Sequence, residues 1–188
     1  LDAARFRRLP GQLGSQAFPD GSGEWFGGTA TTPDAENDPA RNTDVVINEI
    51  LPDPPSNLTN GEFIELHNRR ASAVDLGGWA FSEGVSFTFP AGTTLPPGGY
   101  LVVAANRDHI LATYGSVTVV GNYSGRLSNG GEVVRLVDAS GNLVDEVDYK
   151  TGGDWPVLAK GDGSSLELVH PSLDNNRSSA WRDSDETQ

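Results

Sequence analysis

The 188-residue chain carries 26 acidic against 13 basic side chains, a formal net charge of −13, and neither cysteine nor methionine. That length suits one domain with appendages and is enough to bury a real core. The acidic excess, spread along the chain, excludes nucleic-acid binding, which needs clustered Lys and Arg to displace counterions, and the missing cysteine excludes disulfides, zinc ribbons and thiol chemistry.

Residues 1–44 are rich in Gly and Pro, with scattered apolar residues and one short basic cluster, Arg5-Phe6-Arg7-Arg8. From Val45 the pattern changes to short β-rich runs of period two separated by Gly, Pro, Asn and Asp. This spacing predicts strands near residues 45–50, 62–68, 74–81, 86–89, 100–105, 117–120, 132–138, 142–149 and 165–169. Pro52-Asp53-Pro54-Pro55 must end the first of them, because proline cannot donate to a ladder. A short helix is expected over 107–114, where Ile110, Leu111 and Tyr114 fall on one face. Asp138-Ala139-Ser140-Gly141-Asn142, between two β-rich runs, has the residue chemistry of a hairpin turn. The expected core draws on Ile47, Ile64, Leu66, Leu76, Trp79, Phe87, Phe89, Leu101, Val103, Val134, Leu136, Val147, Leu166 and Leu168. At about 1.5–3 kcal/mol for each buried Leu, Val or Phe, such a set can hold two sheets together without a staple.

Several runs occur in a telling order: Val45–Ile50, Glu62–Asn68, Val74-Asp75-Leu76-Gly77-Gly78-Trp79, Phe87-Thr88-Phe89-Pro90 and Pro96–Val103. They are followed by Leu127–Leu136, Val144–Tyr149, Trp155-Pro156 and Ser165–Leu168. This order resembles the lamin-tail family. The resemblance implies an all-β, immunoglobulin-like antiparallel β-sandwich, found in nuclear lamins and in many large bacterial surface and secreted proteins, with Trp79 packed in the core. Heptads of the kind that precede a nuclear lamin tail are missing from residues 1–44, so the bacterial branch is the better match. The expected organisation is a linker or the last strand of a preceding module over 1–44, the sandwich over 45–170, and a C-terminal extension leading into the next linker over 171–188. Phe18–Phe26 followed by a Thr/Pro/Asn-rich spacer is similar to the closing strand and exit of such a module. With no methionine, an excised segment or processed product is expected, and any export signal should lie upstream. No apolar run approaches the roughly 18–20 residues of a membrane span, so membrane insertion is not expected.

Catalytic signatures are missing: there is no G-x-S-x-G elbow, H-E-x-x-H, P-loop or G-x-G-x-x-G. His67, His109 and His170 are far apart and lack ligand spacing. Glu49 on the first strand and Glu65 on the second could meet, to hold a cation or act as acid and base. In the simpler reading Glu65 lies on the solvent face, in line with Phe63 and His67, while Glu62, Ile64 and Leu66 line the other face. Calcium would find oxygens on Asp20–Glu24, Asp138–Asn142, Asp162 and Asp174-Asn175-Asn176. None of these completes a binding loop, and turn chemistry accounts for them. Trp155 is expected to close one end of the sandwich rather than to form a sugar platform. The sequons at Asn57, Asn122 and Asn176 are near chance in so Asn- and Ser-rich a chain.

No catalytic, cofactor or metal residue is therefore assigned. The expectation is a non-catalytic structural or binding module of a larger extracellular or cell-surface protein. Its partners would be other domains of the same polypeptide, an extracellular protein or a glycan. No cofactor is required, with weak calcium binding at most. The alternative is a calcium- or carbohydrate-binding module that directs an attached hydrolase.

Overall fold

The computed structural model describes residues 14–17, 25–28, 44–55, 59–161 and 163–184. Strands β1 (Gly14–Ala17) and β2 (Trp25–Gly28) form a two-stranded antiparallel sheet of their own. The remaining elements begin with β3 (Val45–Leu51), β4 (Phe63–Asn68), β5 (Val74–Asp75), β6 (Ala80–Glu83), β7 (Val85–Thr88), β8 (Thr94–Leu95) and β9 (Tyr100–Ala104). Helix α1 (Arg107–Tyr114) follows. The chain then forms β10 (Val119–Gly121), β11 (Ser124–Gly125), β12 (Gly131–Val137), β13 (Leu143–Lys150), β14 (Leu166–Leu168) and β15 (Trp181–Asp183).

Two sheets make the sandwich: a six-stranded one in the order β10-β9-β4-β3-β14-β15 and a five-stranded one in the order β11-β7-β6-β12-β13. Their inner faces share one apolar core. Ile47, Ile64, Leu66, Leu101 and Val103 meet Phe81, Val85, Val134, Leu136 and Val147 there, all nearly or fully buried. The alternation that places them inward is the period-two pattern of the sequence. Of the expected core residues only Phe87 is half-buried; it packs edge-on against Phe89 at 5.0 Å. Trp79 is buried as expected.

The expected strand over 74–81 is two strands in different sheets. Leu76-Gly77-Gly78-Trp79 makes a turn between them: Gly78 sits at φ 81°, open to glycine but strained for other residues. Asp75 Oδ1 accepts the Gly77 N–H at 2.8 Å. Strand β5 therefore pairs with β8 in a separate two-stranded sheet, while β6 enters the five-stranded one. Strand β10 runs parallel to β9, a departure from a wholly antiparallel sandwich, because α1 carries the chain back across the sheet.

The helix has the expected bounds. Asn106 caps it by accepting the His109 N–H at 3.0 Å. Gly115, at φ 71°, ends it. Ile110 is buried, whereas Tyr114 is half exposed.

The sandwich also continues past residue 170. Strand β15 adds to β14 at the sheet edge, with Trp181 buried and its indole N–H donating to the Asn175 carbonyl at 2.8 Å. Of the expected upstream strand around Trp25, β2 is described and pairs with β1; the rest of 18–24 lies outside the described residues.

No disulfide joins the sheets, but a polar clasp does. Asp145 on β13 accepts the Ile47 N–H of β3 at 2.6 Å and the Asn175 side-chain amide at 2.7 Å. Strand β14 pairs only with Glu49 and Ile50, so it stops short of the Ile47 N–H, which finds this acceptor instead. Burial pushes the Asp145 carboxyl up to about 6, against the pull of these donors.

Candidate functional site

The outer face of the six-stranded sheet carries the side chains that the core rejects. Period two turns Phe63, Glu65 and His67 outward on β4, and register sets Glu65 opposite Val102 and His67 opposite Tyr100 on β9. On β3 the register shifts between Ile47 and Glu49, so Asn48 is an extra residue in the strand. This bulge brings Glu49 directly opposite Glu65 and leaves Asn48 Nδ2 to donate to Glu65 Oε1 at 3.0 Å. Further along the row, Glu167 on β14 faces Glu49, and Arg182 on β15 faces Glu167.

Three carboxylates thus stand side by side across three neighbouring strands. Each is held differently. Arg182 donates to Glu167 through Nε and Nη2 at 3.0 and 2.9 Å. Glu49 accepts from the Ser165 hydroxyl at 2.5 Å. Glu65 is partly buried, and its carboxyl is raised above the ordinary range chiefly by desolvation; the Asn48 amide lowers it and the negative Glu167 raises it further.

Beside Glu65 the face becomes apolar. Helix α1 packs Ile110 onto Leu51, Phe63, Val102, Ala104 and Val119, closing one end of the face. Between the helix and Glu65 lies a compartment of about 150 Å³, bounded by Phe63, Glu49 and the half-exposed Tyr114. An adjoining one of about 330 Å³ runs over Val102 and Val117 to the half-exposed Tyr100. Glu65 lines both, so they form one groove with a carboxylate at its centre and a tyrosine at each end. The Tyr100 ring stacks on His67, centroids 4.3 Å apart. His67 is buried, its Nδ1 has no hydrogen-bond partner among the described residues, and desolvation pulls its pKa below the usual histidine value.

Both readings of the glutamates therefore hold in part: Glu65 is on the outer face, and it also meets Glu49. Glu62 points the other way. It is buried, accepts from Tyr123 and from the Leu127 N–H at 3.2 and 2.9 Å, and serves the fold. The histidines do not converge: His109 lies in α1, and His170 contacts Ser172 Oγ at 2.7 Å in the loop after β14. The candidate calcium turns use their own oxygens. Asp138 accepts the Ser140 and Asn142 N–H groups and the Asn142 side-chain amide. Asp174 accepts the Asn176 N–H and Arg177 Nε. Asp162 and residues 20–24 lie outside the described residues. Trp155 packs against the core with its ring 6.1 Å from Trp181. Asn122 and Asn176 each accept a backbone N–H, from Arg107 and Asp148, and Asn57 lies outside the described residues.

The sequence reading missed Tyr100, Tyr114 and Val117 as groove residues and Asp145 and Asn175 as a clasp. Only register and the packing of α1 bring the first three together. For Asp145 a signal existed: it falls in step with Val147 and Tyr149, which a strand turns toward the core.

A two-layer sandwich with a shared apolar core and a polar outer face defines an immunoglobulin-like module. The family model of the lamin tail domain matches residues 38–151, and the chain belongs to that family of structural, non-enzymatic modules. No curated protein matches the chain.

Proposed function

We propose that the chain is a non-catalytic structural or binding module of a larger bacterial surface or secreted protein, working beside other domains of the same polypeptide. The observation that carries this reading is the outer face of the six-stranded sheet, which holds an open groove with two half-exposed tyrosines rather than a converging nucleophile and base. A chain of such modules is supported by the first hairpin. In it Trp25 opens the second strand opposite Ala17, as Trp181 opens β15 opposite Leu168. We read β1 and β2 as the closing hairpin of a preceding module. The alternative, a calcium- or carbohydrate-binding module directing a hydrolase, draws less support: Asp138 and Asp174 are engaged in their own turns, and Trp155 is half-buried against Trp181.

Calcium tests the metal version of the alternative, and a glycan array tests the sugar version. A ligand at a hundred times its dissociation constant adds about 2.7 kcal/mol of stability, which for a chain of this size raises Tm by about 5–11 °C. The expected change between excess chelator and millimolar calcium is smaller than this. A clear rise that disappears in Asp138→Ala or Asp162→Ala would overturn the reading in favour of the calcium-dependent module.

A further inference from the structure

We propose that Asn129 is a site of spontaneous covalent modification, converting with age to aspartate and isoaspartate through a cyclic imide. Asparagine followed by glycine occurs twice in the chain, at Asn60-Gly61 and Asn129-Gly130. In such a pair the glycine nitrogen, unshielded by a Cβ, can close on the asparagine side chain. The two pairs differ in their settings. Asn60 lies in the 3₁₀ helix Thr59–Gly61, and Gly61 is buried where a Cβ would meet the Pro54 ring at 3.0 and 3.2 Å. Asn129 lies in an open turn before β12, closed by the Gly131 N–H donating to the Ser128 carbonyl at 3.1 Å. Gly130 is exposed, and the nearest atom to a Cβ placed there would be Ser128 Oγ at 4.0 Å.

Two hydroxyls grip the peptide unit between Asn129 and Gly130. Thr151, buried just after β13, donates its hydroxyl to the Asn129 carbonyl at 2.5 Å. Ser128 Oγ accepts the Gly130 N–H at 3.3 Å. The Asn129 side chain has no hydrogen bond among the described residues and is free to turn toward that nitrogen. By contrast Asn48, Asn68, Asn106, Asn122, Asn175 and Asn176 all have their side chains engaged. The reaction starts when the Gly130 nitrogen gives up its proton, with Ser128 Oγ placed to pass it to solvent. The negative charge spreads onto the Asn129 carbonyl oxygen, where Thr151 is already in position to stabilise it. The nitrogen then bonds to Asn129 Cγ, an attack favoured because both groups belong to one short stretch of chain. The C–N bond of the side-chain amide breaks, and the amide leaves as ammonia, taking up a proton in place of the one released. Water opens the imide at either carbonyl. Attack at Cγ gives aspartate, and attack at the main-chain carbonyl gives isoaspartate, whose backbone runs through Cγ and is one methylene longer. Either product sets a new carboxylate near Glu132, which accepts the Ser128 N–H at 2.6 Å. The change falls at the root of the β12–β13 hairpin, where Gly131 packs too closely on the Tyr149 carbonyl for any side chain to fit.

The test incubates the full chain at mildly alkaline pH and follows aspartate and isoaspartate by peptide mass mapping and isoaspartyl methyltransferase labelling. In the folded chain, acid should accumulate at residue 129 about tenfold faster than at residue 60, the effect of one hydrogen bond to a developing charge. In urea the two rates should converge. Thr151→Val keeps the shape of the side chain but removes the donor, and should slow the reaction at residue 129 about tenfold. Thr151→Ser restores the hydroxyl and should restore the rate. Gly130→Ala, at a position with room for a Cβ and no left-handed φ, should suppress the reaction by shielding the nitrogen. Should Thr151→Val not fold, the comparison with residue 60 and Gly130→Ala decide. Equal rates at the two asparagines in the folded chain would overturn the proposal. So would an unchanged rate in folded Thr151→Val or in Gly130→Ala, or a loss that Thr151→Ser fails to restore.

Discussion

Asp145 makes a pH-dependence that runs opposite to ordinary acid denaturation. Its carboxyl has an ordinary value of 3.8 and is pushed up to about 6 by burial between the sheets. With a folded value above the unfolded one, the folded protein binds the proton more readily between those limits. Stability from this group is therefore fully present below about pH 3.8 and is lost as pH rises through about 6. At about 1.4 kcal/mol per unit of pKa, the loss is about 3 kcal/mol. For a chain of this size that corresponds to about 6–12 °C in Tm.

Other groups titrate nearby, so the variant must isolate the effect. Glu62 and Glu65 are also raised, chiefly by burial, and act in the same direction. His67 is lowered by burial, so its contribution opposes them, falling as pH drops below its unfolded value of 6.5. Asp145→Asn leaves those groups in place and keeps an acceptor for Ile47 and Asn175. The measurement is urea unfolding followed by tryptophan fluorescence from pH 3.5 to 7.5, for parent and variant. The stability of the parent minus that of Asp145→Asn should fall by about 3 kcal/mol across this range. A difference that is flat, or that rises with pH, would refute the account of a desolvated carboxylate. Asp145→Ala strands two donors, each costing about 1–3 kcal/mol, and should lose stability at every pH.

Two further expectations concern the limits of the domain. Truncation after residue 170 removes β15, and with it the buried Trp181. Trp181→Ala alone should cost about 3–5 kcal/mol, so the truncated chain should melt far lower than the parent in calorimetry; an unchanged Tm would show that β15 is dispensable. Deleting residues 1–40 should lower Tm only slightly, because β1 and β2 pair with each other and not with a sandwich strand. Collapse of the fold on that deletion would show that the leader belongs to the domain.

The sequence alone determined the sandwich. Alternation in Glu62–Asn68 and Val133–Leu136 assigns each residue to a face, because a strand repeats every two residues whatever it packs against. Local chemistry likewise fixed the Asp138–Asn142 turn and the helix that Asn106 and Gly115 bound, since a cap or turn is made by residues adjacent in the chain. The division of 74–81 was foreshadowed by Gly77-Gly78, but its two halves could be assigned to different sheets only in three dimensions. What joins distant segments was decided by tertiary structure. One inserted residue, Asn48, shifts the register of β3 and so sets Glu49 against Glu65, and no local pattern reveals a bulge of this kind. Helix α1 turns scattered apolar residues and Tyr114 into a groove wall by where it lands on the sheet. Asp145 meets Ile47 and Asn175 across 98 and 30 residues of chain, and such separations are closed by the packing of the core, which periodicity does not encode.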